Sequence, residues 1–135
     1  MVDRVVARRA TYLVLAGATI AVGLWVHLSA KALGADTRDV LGDALWAVMM
    51  VWLISVIAPR AQLLTRSMVA LSVCVAVELS QLVHTSSIDA LRSSTAGHLV
   101  LGSGFNPRDL LAYAIGVATA MLLERIVVAF ARRSQ

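Results

Sequence analysis

Four long apolar runs separated by short polar connections set the pattern of this chain. Ala10 to Ala30 lies between Arg9 and Lys31, with His27 as its only ionisable residue. Val40 to Ala58 carries Asp43 near its start and stops before Pro59-Arg60. Ser67 to Val83 follows Arg66 and carries Glu78, and Leu110 to Ala131 follows Asp109 and is interrupted by Glu124-Arg125. A helix needs about 20 residues to cross a hydrocarbon layer roughly 30 Å thick, so each run predicts one crossing. The apolar residues do not alternate with a period of two and the runs are too few for a barrel, which leaves helices as the spanning structure. The pattern therefore predicts an all-α integral membrane protein. It is a four-transmembrane-helix bundle forming a single membrane domain over 1–135, with spans at about 10–30, 40–58, 67–83 and 110–131.

Small residues recur four apart at Gly17 and Ala21, at Ser72, Ala76 and Ser80, and at Ala112, Gly116 and Ala120. That spacing lets helix backbones approach closely in lipid. Trp25, Trp46 and Trp52 read as interfacial or packing aromatics, and Cys74, the only cysteine, reads as a small buried hydrophobe. The charged fraction of 15% is well below the quarter or so usual in soluble domains, so the chain lacks the polar surface to dissolve.

The net charge of +4 does not point to nucleic acid, because the basic residues fall in ones and twos between apolar runs with no basic stripe. They do orient the bundle. Arg4, Arg8, Arg9, Arg60, Arg66, Arg125, Arg132 and Arg133 fall on one side of four spans; Lys31, Arg38, Arg92 and Arg108 fall on the other, offset by five aspartates. The positive-inside rule then places both termini in the cytoplasm, N-in and C-in, in a multi-pass protein of a bacterial cytoplasmic (inner) membrane. The arginine-led first run has an alternative reading as a cleaved leader, but it is longer than a leader's apolar core.

The third connection, His84 to Asp109, is the longest. Its apolar, glycine-rich stretch Leu99-Val100-Leu101-Gly102-Ser103-Gly104-Phe105 is too short to span, and is expected to be partly re-entrant or to cap the bundle. Asn106-Pro107-Arg108-Asp109 reads as a helix start, with Asn106 capping, Pro107 in the first helical position and Asp109 complementing the positive helix end.

Polar residues from all four spans converge at this outer level. Glu78 lies about one and a half turns from the end of the third run, and Gln81 follows on the same face. His27, Asp43 and Asp109 stand at the same depth, with Arg38, Asp89, Arg92, His98 and Arg108 in the connections above. Ionisable groups within a bilayer are costly unless paired, and by default mark a functional site. A purely structural alternative is that Glu78 pairs with Arg92 or Arg108 and locks the bundle. His27, Glu78 and Asp43 have no metal-type spacing, and no nucleophile motif or phosphate-cradling glycine loop occurs, so neither a metal nor a cofactor is expected. Glu124-Arg125 reads as a pair at the cytoplasmic end or a snorkelling arginine.

Four stretches together are distinctive: Glu78-Leu79-Ser80-Gln81-Leu82, Ile88-Asp89-Ala90-Leu91-Arg92, Leu99-Val100-Leu101-Gly102, and Phe105 through Gly116. With Gly42-Asp43-Ala44-Leu45-Trp46, they resemble the uncharacterised bacterial family numbered 2809 among domains of unknown function, over about Tyr12 to Gly116. More distantly, the Glu-x-x-Gln helix followed by an Asp-led helix is similar to VanZ-like membrane proteins, some of which are linked with glycopeptide resistance. This chain departs from them at Tyr113, where they carry Asn, and at Ala47, which leaves an Asp-x-x-x-His pattern incomplete.

The leading expectation is a binding protein. Asp43, Glu78, Gln81, Arg92, Arg108 and Asp109, with Asp89 above and Tyr113 in the resembling segment, would hold the polar head of a membrane lipid or lipid-linked cell-envelope precursor. In that reading the arginines meet phosphate or carboxylate. Two alternatives remain open: an accessory subunit bound to a membrane-protein partner or its own copies, and an enzyme using Glu78 as acid or base.

Overall fold

The computed structural model describes the backbone of residues 2–29, 32–95, 97 and 104–133, and the side chains of 4–29, 32–95, 97 and 104–129. The regular elements among these residues are all helical: α1 (Val2–Ser29), α2 (Ala35–Ile57), α3 (Leu63–Ser80), a short α4 (Ser86–Arg92) and α5 (Pro107–Arg133). Four of them, over Arg4–Ser29, Ala35–Ile57, Leu63–Ser80 and Pro107–Ala129, are long and apolar enough to cross a membrane. The 23 residues of α2 rise about 34 Å, slightly more than a hydrocarbon layer.

The helices start earlier than the apolar runs. α1 begins at Val2 rather than Ala10, and α2 at Ala35 rather than Val40. Hydropathy marks the stretch suited to lipid, whereas Arg, Asp and Ala continue a helix into the polar zone at little cost. α3 ends at Ser80, short of Val83, because Gln81, Leu82 and Val83 turn back to bond the carbonyls of Glu78, Leu79 and Ser80. α4 is an element that the apolar pattern gives no hint of. Thr85 caps it by accepting from the Ile88 amide at 3.4 Å. His98 and the stretch Leu99–Ser103, where re-entry or capping is expected, lie outside the described residues.

α2 is the spine of the bundle. It packs against α1, α3 and α5, and α3 packs also against α5. The core is built from Ala47, Val48, Val51 and Trp52 of α2 with Ala70, Cys74, Tyr113, Val117 and Ala120 around them. The closest approach is at Gly116: a Cβ there would run into the Ala44 carbonyl and lie 2.9 Å from the Ala47 Cβ. Ala112 and Ala120, one turn to either side, are buried with it, so this small-residue stripe is a backbone-to-backbone seam. The other two stripes are not seams. Nothing lies within 4 Å of a Cβ at Gly17, and Ser72 and Ala76 are exposed. α3 instead buries Ser67, Ala70, Cys74 and Glu78, a different face at the same helical spacing.

The outer surface is strongly apolar, with Leu13, Val14, Ile20, Leu24 and Trp25 exposed along α1 and Leu111, Ile115 and Leu122 along α5. Exposure on that scale suits lipid rather than water as the surrounding medium.

Candidate functional site

The sequence places Ser67, Ala70, Cys74, Glu78 and Gln81 three or four apart, so they share one face of α3 and its end. That face looks into the bundle, which carries the Glu78 carboxylate to complete burial, with Gln81 and Tyr113 nearly as enclosed. Glu78 is fully supplied with donors. Oε1 accepts from the Asn106 backbone N–H at 2.7 Å. Oε2 accepts from Gln81 Nε2 and from the Tyr113 hydroxyl, each at 3.1 Å. Hydrogen bonds to an ionised group are the strong ones, and three of them offset much of the cost of burying it.

The carboxylate also sits at the start of α5. Asn106 precedes Pro107, and its side-chain oxygen accepts from the Arg108 amide at 3.2 Å, the capping arrangement that the residue types suggest. A helix N-terminus carries a partial positive charge, so Glu78 meets a helix end that favours an anion. Asp109, in the first turn of α5, has the same relation to it. Asp43 of α2 and Asp109 of α5 lie near enough to feel one another's charge and that of Glu78. Asp43 and Asp109 are half-buried and Glu78 is closed off, so the two aspartates form the accessible edge of the cluster. Gln81 adds a further acceptor: its Oε1 is buried and receives no hydrogen bond among the described residues.

Of the eight candidate residues, the structure brings together Asp43, Glu78, Gln81, Asp109 and Tyr113. It does not bring Asp89, Arg92 and Arg108 into contact with them. Arg92 turns back on the end of α3, donating to the Ser80 carbonyl at 2.6 Å and the Val83 carbonyl at 3.0 Å, with a longer contact of 3.4 Å to Asp89. It serves the free carbonyls of a helix terminus, which attract cations. Asp89 is exposed and also lies 3.6 Å from His84. Arg108 and His27 are exposed. The ion pair between Glu78 and a loop arginine is therefore not formed; backbone, amide and phenol donors stand in its place. Among the described residues no group of three or more His, Cys, Asp or Glu is arranged to hold a metal ion.

The opposite end holds a second polar network that the sequence reading missed. Arg66, nearly buried at the start of α3, donates from Nη2 to Glu124 Oε1 at 2.7 Å and from Nη1 to Glu124 Oε2 at 3.3 Å, spanning the carboxylate of α5. The same guanidinium bonds Ser55 of α2 and the Ala61 carbonyl, and lies 5.2 Å from the centre of the Tyr12 ring. Tyr12, from α1, donates to Glu124 Oε1 at 3.0 Å and stacks on Trp52 with ring centres 6.1 Å apart. All four long helices meet here through side chains. Glu124 is thus the partner of Arg66 rather than of its neighbour Arg125. The signal available in the sequence is depth: an arginine opening one span and a glutamate near the close of an antiparallel one fall at the same level.

A family model described as "Protein of unknown function (DUF2809)" matches residues 34–117. The matched stretch holds all eight candidate residues and leaves out Tyr12 and Glu124. No solved structure matches the chain. The match covers well over half of the chain, which belongs to this family.

Proposed function

We propose that this DUF2809 protein is a binding protein of the bacterial cytoplasmic membrane, lying N-in and C-in with its Glu78 end facing outward. It takes the polar head of a membrane lipid or lipid-linked envelope precursor at that end. The excess of arginine at the end bearing the termini supports the orientation. The observation that carries the binding reading is an incomplete polar network: near the Asp43, Glu78 and Asp109 carboxyl groups, Gln81 Oε1 is a buried acceptor without a donor, and Arg38 Nε and Arg92 Nε are buried donors without an acceptor, among the described residues. A ligand that completes this arrangement brings donors, such as sugar hydroxyls or an amine. Arg92 is held by the Ser80 and Val83 carbonyls and Arg108 is exposed, so neither meets the carboxyl groups directly. Glu78 acts as the frame: with three donors on its two oxygens it holds α3 to α5, an arrangement suited to positioning and not to proton transfer.

Native mass spectrometry of the full chain, extracted in mild detergent, tests this reading. A retained hydroxyl- or amine-bearing amphiphile, lost in the Asp43→Asn/Asp109→Asn double variant, is the expected result. Intact protein free of any amphiphile, or a double variant that keeps every amphiphile the parent holds, defeats the proposal. An accessory role in a larger membrane complex is favoured by one observation, the broad apolar face that α1 and α5 leave uncovered. A stoichiometric protein partner that survives cross-linking would support it.

A further inference from the structure

A cleft of about 630 Å³ opens between α1 and α5, with α2 as its floor, running along the bundle from the Arg66–Glu124 end. Its length along α1 runs from Arg8 to Val22, roughly 21 Å at 1.5 Å per residue. That length and volume accommodate one extended hydrocarbon chain. The walls are suited to it. Leu15, Val22, Leu45, Val48, Leu123 and Val127 are apolar. The three threonines in the lining turn their hydroxyls back on their own helices: Thr11 to Ala7, Thr19 to Leu15 and Thr119 to Ile115, at 2.8–3.0 Å. They present methyl groups to the cleft. The polar tips of Tyr12, Arg66 and Glu124 are spent on one another.

One charge in the lining is left with little to hold. Arg8, at the mouth, has a single long contact among the described residues, 3.4 Å to the Pro59 carbonyl, and it is exposed beside Arg4 and Arg9. We infer that the cleft is a lipid site, holding one acyl chain of an anionic glycerophospholipid from the leaflet at the arginine-rich end, with the lipid phosphate on Arg8. A guanidinium fork matches phosphate geometry, and anionic lipid gathers near basic segments. Its lining includes none of the acceptor-cluster residues, so the site stands or falls independently of that cluster.

The test uses the full chain equilibrated with phosphatidylglycerol and phosphatidylcholine of identical acyl chains, followed by native mass spectrometry. One phosphatidylglycerol per chain is expected to survive, enriched roughly fivefold over phosphatidylcholine, as one arginine near an anionic surface provides. Ala18→Phe fills the cleft from an exposed position where folding is not at stake, and is expected to remove most of the bound lipid while far-UV circular dichroism stays unchanged. Arg8→Gln is expected to keep a lipid but bring the two head groups to near parity. An Ala18→Phe variant that retains lipid like the parent overturns the inference, as does a parent chain showing no preference between head groups. A second polypeptide held in place of lipid overturns it too.

Discussion

The Tyr113 hydroxyl donates to Glu78 Oε2 at 3.1 Å, joining α5 to α3 where neither side chain meets the surroundings. The bond is one of three on a carboxylate that has no basic partner among the described residues. Removing it leaves the other two and a ring that still packs. Tyr113→Phe is therefore expected to cost about 1.5–3 kcal/mol, the range for a hydrogen bond to a charged group. Thermal unfolding in detergent measures it, and a variant as stable as the parent would show that the bond contributes nothing.

Glu78→Gln keeps the shape of the side chain but replaces one acceptor oxygen by a donor. Gln81 Nε2, the Tyr113 hydroxyl and the Asn106 amide cannot all be satisfied by the single remaining carbonyl. The expected loss is about 1–3 kcal/mol for each donor left without a partner, with faster amide exchange at the start of α5. Exchange at Asn106 equal to the parent's would contradict the capping role.

At the other end, Arg66→Met and Glu124→Leu are each expected to destabilise by about 3–5 kcal/mol, because each strands a buried charge. The double variant is expected to cost less than their sum, since neither charge is then left unpaired, although the Tyr12 hydroxyl and the Ala61 carbonyl lose their partners. A double-mutant cycle reads this directly. Additive effects would mean that the two charges do not depend on one another.

The glycines should divide sharply. Gly116→Ala pushes a methyl group into the α2 backbone at Ala44 and is expected to cost about 1–3 kcal/mol as overpacking. Gly17→Ala meets nothing within 4 Å and is expected to stay within about 0.5 kcal/mol of the parent. Equal effects in denaturant unfolding would argue against the α2–α5 seam.

The four long helices are legible in the sequence because hydropathy averaged over a span tolerates errors at single residues. Their faces are less so. On α3, Ser72, Ala76 and Ser80 and the set Ser67, Ala70 and Cys74 both recur at helical spacing, and composition alone does not say which set turns inward. The depth of Glu78, Gln81, Asp43 and Asp109 can be read from their distance to the span ends. The direction of Arg92 cannot, since a long side chain at that level serves a carboxylate and the carbonyls of α3 equally well. The Arg66–Glu124 pair stays hidden because Arg66 reads as a connection charge and Glu124 as the neighbour of Arg125. α4 is hidden for a different reason, being only seven residues long and too short to show an apolar period.

Along α3, Arg66 and Glu78 are separated by 12 residues, and along α5, Tyr113 and Glu124 by 11, so both pairs of helices' polar ties are set at nearly the same pitch, roughly 17 Å. Sliding α5 by one residue would shift it 1.5 Å and turn it about 100°, breaking both ties at once. Apolar faces in lipid tolerate many alignments of two helices. Two pins set at one gauge admit a single register.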